Sequence, residues 1–214
     1  MIELQPLDII ACYNPDRRSR FASWLNGSFC CEISLIKAPS HLAVICMHEG
    51  KPLLIESSSA TDSPCVITEE SAPGCRAQFA YKRIPQYLRS NVGVRLFRLN
   101  AMDSLSSAES ELLTKILLDH FVREKLDWKQ GTPKLTDMWA TSGDMMRTTL
   151  DKNAAFSTSM IAKILMRLGR LSHANPVSYS PRLLLRQLHD NGTIRFQGNL
   201  FLSKPDATDP PATS

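Results

Sequence analysis

Three residues of this chain are of types that together carry out acyl transfer. His41 sits at the mouth of an apolar strand, Glu56 closes the next one, and Ser157 lies far downstream in Ala155-Phe156-Ser157-Thr158-Ser159-Met160-Ile161-Ala162, which reads as the opening of an amphipathic helix. A carboxylate that accepts a hydrogen bond from one imidazole nitrogen fixes the tautomer and leaves the other nitrogen to take a proton from a nucleophile. A nucleophile at a helix start gains from the unsatisfied N–H groups there, which favour negative charge on an attacking atom and on a developing oxyanion. Ser157 is expected in such a position.

The elements around these residues must bring them together. Residues 42–47 are apolar throughout, as in a strand covered on both faces, and 53–55 repeat the pattern after the turn residues His48, Glu49, Gly50 and Lys51. A two- or four-residue loop centred on Glu49 and Gly50 sets His41 opposite Ser58 and Ala43 opposite Glu56. His41 and Glu56 are then diagonal neighbours on one face, with Cβ atoms roughly 7 Å apart. A three-residue loop would flip one strand's faces and separate them.

Further elements follow from periodicity and punctuation. A strand over 9–12 leads through Asn14-Pro15-Asp16 to a helix over 17–25, ended by Asn26 and Gly27. Residues 57–76 are rich in Ser, Thr, Pro and Asp and read as a loop or lid; 78–83 and 92–99 read as strands. Leu112, Leu113, Ile116, Leu117 and Phe121 mark a helix over 106–125, capped by Ser106 or Ser107 and broken at Gly131 to Pro133. Residues 135–153 suggest only short helices. In the Ser157 helix, Met160, Ile161, Ile164, Leu165 and Leu168 form one stripe, with Gly169 as its stop. Ser180 and Pro181 open a short helix through 188, and 193–202 reads as a small hairpin about Gly198 and Asn199. A single domain over 1–203 is expected, followed by a disordered tail over 204–214 that holds three prolines and no large apolar residue.

Composition restricts the function classes. With 214 residues, 43% hydrophobic and 21% charged, the chain can bury a core of ordinary globular type. The net charge of +4 is small and dispersed, with no basic stripe carrying interleaved aromatics, so nucleic acid is not an expected partner. No run approaches the roughly 18 apolar residues of a membrane span, and no basic-then-apolar leader opens the chain. A soluble protein is expected. The six cysteines, Cys12, Cys30, Cys31, Cys46, Cys65 and Cys75, lack C-x-x-C spacing, and His48, His120, His173 and His189 show no ligand spacing. Neither metal nor cofactor is expected, and a reducing compartment fits best.

With these residues in view, the chain resembles the circularly permuted branch of the papain-like NlpC/P60 superfamily, which includes the YiiX-like bacterial proteins and a related poxvirus protein. Pro6-Leu7-Asp8-Ile9-Ile10 resembles the family's opening "x-G-D-I" strand, with Leu7 in place of glycine. Ser40-His41-Leu42-Ala43-Val44 is similar to its "S-H-V-G/A-I" strand, and Leu54-Ile55-Glu56-Ser57 to its "hxE-S/A" strand. Phe156 to Ala162 resembles "F-C-S-E-L-V-A", followed by Leu168-Gly169 and by Tyr179-Ser180-Pro181 at a "Y-T/S-P" element.

The resemblance spans about residues 6–190. It implies an α+β fold, an antiparallel sheet packed against helices, with His41 as general base, Glu56 as orienting residue and Ser157 at the nucleophile position. It further implies a peptide, isopeptide, cell-wall peptide or acylated-lipid substrate; the substrate groove is expected to be lined from 57–75 and 131–153. Asp8, at the family's opening aspartate, is expected to be structural rather than catalytic. Ser157 stands where the family carries cysteine. That is compatible with a deliberate Cys-to-Ser replacement, a natural serine hydrolase, or a natural member that binds without cutting. A hydroxyl ionises far less readily than a thiol, so a site built for a thiolate loses most of its rate with serine.

Simpler roles exist for each residue. Ser157 can serve as a helix N-cap, His41 as a hydrogen-bonded strand-edge histidine and Glu56 as a solvated strand-end charge. Cys30 or Cys31 as nucleophile would restore the unpermuted order, but only ten residues separate Cys31 from His41, too few for the intervening helix and strands.

Overall fold

A computed structural model describes residues 2–13, 39–58, 63–124, 152–172 and 174–201, with 152–155 described as backbone only. The described strands are β1 (Ile9–Tyr13), β2 (His41–His48), β3 (Lys51–Ser58), β4 (Gly74–Phe79), β5 (Gly93–Leu99) and β6 (Ile194–Leu200). They form one antiparallel six-stranded sheet in the order β4-β3-β2-β1-β5-β6. The described helices are α1 (Ala80–Arg89), α2 (Ser107–Lys115), α3 (Lys152–Arg167) and α4 (Pro181–Asp190). The fold is therefore α+β. The expected helix over 17–25, the short helices over 135–153 and the tail over 204–214 lie outside the described residues, apart from the backbone of 152 and 153.

Both sheet faces are covered, which is why the central strands read as continuous apolar runs. Leu42, Val44, Cys46, Leu53 and Ile55 pack in one layer with Leu113 of α2, Leu117 just beyond its end, Ile161 and Leu165 of α3 and Leu184 of α4. Ile10, Cys12, Ala43, Ile45 and Leu54 face the opposite layer, covered by Ala80 and Ile84 of α1. The alternation is the period of two that any strand imposes on its side chains.

The β2–β3 hairpin has the anticipated two-residue loop. His48 pairs with Lys51 and Val44 with Ile55, with Glu49 (φ 51°) and Gly50 (φ 72°) both left-handed between them. Two positive φ angles define the type I′ turn whose twist matches that of the strands.

Four expectations need correction. The strand over 78–83 ends at Phe79, because Ala80, Arg83, Ile84 and Tyr87 follow helical spacing and turn toward the sheet as α1. Pro85 lies within that helix and leaves the carbonyl of Tyr81 without its usual partner, tolerable because Tyr81 is exposed. The loop over 57–76 is shorter than expected, since β3 runs to Ser58 and β4 begins at Gly74. The hairpin over 193–202 is instead the single strand β6. Gly198 (φ 151°) faces Leu96 while Phe97 faces Phe196, leaving Gln197 as the extra residue of a bulge.

The fourth correction bears on the site: α3 begins at Lys152, so Ser157 lies in its second turn. Nothing in Lys152-Asn153-Ala154-Ala155 stops a helix from extending backward, and the two alanines favour it. The unsatisfied N–H groups of the helix start thus belong to residues 152–155, not to Ser157. The other end behaves as anticipated. Gly169 (φ 69°) closes α3, with Arg170 N–H donating to Leu165 O at 2.8 Å.

The helix over 106–125 also forms, with a capping box between Ser106 and Glu109. It continues from Ile116 to Arg123 as wide π-helical turns that bury Ile116, Leu117 and Leu118 in succession.

Candidate active site

β2 and β3 part company toward the His41 end. Their pairing stops at Val44 and Ile55; beyond it His41 pairs across to Cys12 of β1, while Glu56 and Ser57 pair with Arg76 and Cys75 of β4. His41 Nε2 meets Glu56 Oε2 at 2.7 Å across this parting. A carboxylate has no proton to give, so Nε2–H is the donor, and in the neutral imidazole the lone pair then falls on Nδ1.

Glu56 is fully buried and saturated with partners. Arg83 Nε donates to Oε1 at 2.7 Å, and the Tyr87 hydroxyl donates to Oε2 alongside His41. Burial pushes the Glu56 carboxyl up. The hydrogen bond and charge of His41, the Arg83 guanidinium and the Tyr87 hydroxyl outweigh that and hold it down at about 2. Burial, and then the Glu56 charge, push the Tyr87 phenol well above its ordinary value, so it stays a donor. Arg83 also lies over the Tyr87 ring, 4.5 Å from its centroid. The imidazole keeps 15% of its side-chain surface while Glu56 keeps none, so anything arriving from solvent meets His41 first.

Ser157 approaches from the other layer. Its Oγ accepts from the backbone N–H of Ser57 at 2.9 Å, at the point where β3 has lost its pairing with β2. The residue is wholly buried. An N–H aimed at Oγ favours negative charge on that oxygen. The structure therefore joins His41 to Glu56 directly and brings Ser157 to the next residue of the same strand. Among the described residues no hydrogen bond links His41 to Ser157.

Arg83 and Tyr87 were not singled out from sequence. Their spacing from Ala80 along a helical face was the available signal, hidden by the strand assigned to 78–83. Asp8 is buried and accepts both Nε (2.8 Å) and Nη2 (2.7 Å) of Arg98, besides the N–H of Gln5 at 2.7 Å. That pairing fits a structural role.

Cys12 lies directly across from His41, but burial, with the nearby Glu56 charge, drives its thiol far up and leaves it un-ionised. Cys46 is pushed up to about 12 by burial. Such thiols are poor nucleophiles. Cys30 and Cys31 lie outside the described residues. Among those described, no cluster of histidine, cysteine or carboxylate residues is arranged to hold a metal, and no helix is long and apolar enough to cross a membrane.

No protein-family model matches the chain, and no curated protein matches it in sequence.

Proposed function

We propose that this protein is a permuted papain-like hydrolase or acyltransferase that cleaves an amide or ester bond through an acyl-enzyme. His41 acts as general base through Nδ1, Glu56 orients the imidazole, and position 157 carries the nucleophile. The observation that carries the reading is the His41 Nε2–Glu56 Oε2 contact of 2.7 Å, which commits one ring nitrogen and leaves the other for proton transfer. The reaction needs Nδ1 to take the hydroxyl proton as the oxygen of Ser157 attacks the carbonyl carbon, and so needs the imidazole on the α1 side and the α3 side chain on the other to meet at the edge where β2 and β3 part. The imidazolium then returns that proton to the leaving group, and water or another acceptor releases the acyl group. Peptide, isopeptide and acylated-lipid carbonyls fit this chemistry.

Leu7 lends independent support to the resemblance. It adopts a left-handed backbone (φ 64°), the conformation glycine takes freely, at the position where the resembled family has glycine.

A second reading, a binding protein without acyl chemistry, is favoured by the complete burial of Ser157 and the engagement of its Oγ by Ser57 N–H. Labelling of the unaltered chain and of Ser157→Cys with a fluorophosphonate and a thiol-directed acyl probe separates the two. Labelling at position 157 that disappears in His41→Ala supports the acyl-transfer reading. A folded Ser157→Cys chain that takes up neither probe supports the binding reading.

A further inference from the structure

Arg76 lies on β4 directly across from Glu56 and is buried to 1% exposure. Its guanidinium is anchored at one corner, where Nη1 donates to Ser63 O at 3.0 Å; the Gln78 amide donates to the same carbonyl at 3.3 Å. Nε and Nη2 are shut off from water and have no hydrogen-bonding partner among the described residues. Buried donors are nearly always satisfied, and a buried cation without a counter-charge is among the costliest arrangements in a protein interior. The nearest acidic group along the strand pair does not fill the gap. Both oxygens of Glu56 are already taken by Arg83, His41 and Tyr87.

The two orphaned donors lie on one edge of the planar guanidinium, the edge that grips two oxygens side by side. The same protein shows that edge filled: Nε and Nη2 of Arg98 hold the two oxygens of Asp8 at 2.8 and 2.7 Å. We infer that Arg76 is an anion-binding residue whose Nε–Nη2 edge takes the carboxylate of a ligand beside the Glu56 network. Charge selects a monoanion, because Glu56 is already paired with Arg83 and, among the described residues, Arg76 has no carboxylate partner. Among the described residues, the Ser63 carbonyl is the one group that hydrogen-bonds the guanidinium. The inference goes beyond the proposed chemistry and does not require position 157 to react.

The test uses the full chain at constant ionic strength in sodium chloride, titrated separately with N-acetylglycine, its uncharged amide and inorganic phosphate. NMR follows the Arg76 Nε–H resonance, and thermal unfolding follows Tm. N-acetylglycine is expected to move the resonance and raise Tm, while the amide does neither. Arg76→Lys, which keeps the charge and lacks the edge, is expected to weaken the Tm response at least about tenfold. Phosphate acting alone, or as strongly as N-acetylglycine, overturns the carboxylate assignment. An Nε–H resonance that no anion moves overturns the site altogether, and this is read on the unaltered protein whether or not Arg76→Lys folds.

Discussion

The backbone N–H of Ser57 donates to the Oγ of Ser157 at 2.9 Å, tying α3 to the sheet one residue beyond the carboxylate that holds His41. This bond fills a place that strand pairing has vacated, since β2 and β3 are no longer joined beyond Val44 and Ile55. Ser157→Ala leaves the Ser57 N–H buried without that acceptor, an expected loss of about 1–3 kcal/mol. Ser157→Cys keeps a weak acceptor and loses less. Urea unfolding measures this as a lower midpoint with unchanged slope. Equal midpoints for Ser157→Ala and the unaltered chain would show that the bond contributes nothing.

Acid should weaken the fold through Glu56. Its folded carboxyl is held at about 2 against an ordinary value of 4.5, so the folded state binds this proton less readily than the unfolded chain. The stabilisation is therefore complete above about pH 4.5 and is lost as pH falls toward 2. A shift of that size corresponds to about 3 kcal/mol. Unfolding free energy measured across this window should fall steeply for the unaltered chain. The slope should flatten in Glu56→Gln, which has no proton to take up and starts from lower stability because Arg83 loses its partner.

Arg83 and Tyr87 should separate by magnitude. Arg83→Met removes the counter-charge of a buried carboxylate, which typically costs about 3–5 kcal/mol. Tyr87→Phe removes one neutral donor and should cost about 1–2 kcal/mol. Both raise the Glu56 carboxyl, so the acid limb of each variant should move to higher pH, further for Arg83→Met. Identical acid limbs in Tyr87→Phe and the unaltered chain would mean that the phenol does not stabilise the ionised carboxylate.

Local rules made the hairpin legible. Glu49 and Gly50 limit the loop, the loop sets the register, and the register aligns His41 with Glu56, so a contact between residues 15 apart in sequence could be read from turn chemistry. The stripe and stop of α3 were legible for the same reason. The start of α3 was not: Ser157 has a cap-forming side chain, and no sequence signal says that a helix continues backward past a serine. The role of Gly198 as bulge or turn depended on whether a partner strand lay alongside, and that partner, β5, is about 100 residues away. Arg83 and Tyr87 were missed because the apolar residues around them fit a strand and a helix alike over so short a stretch. Arg76 is unreadable from sequence, since its interest lies in the partners it lacks.

The hairpin loop supplies the last prediction. Glu49 holds φ 51°, a left-handed conformation that costs a residue with a full side chain about 1 kcal/mol and that asparagine tolerates. Its carboxylate lies 3.9 Å from His48 on an exposed surface, a pairing worth little. Glu49→Asn should therefore stabilise the fold by about 0.5–1 kcal/mol, read as a raised Tm, by creating the Asn-Gly pair that type I′ turns favour. Inserting a glycine between Glu49 and Gly50 should do the opposite, since a three-residue loop shifts one strand and carries Glu56 out of line with His41. The inserted chain should lose stability and also its acid-sensitive slope between about pH 4.5 and 2, because a carboxylate without His41, Arg83 and Tyr87 around it is no longer held at about 2. An insertion variant that keeps that slope would mean that β3 holds its place against α1 without help from the loop.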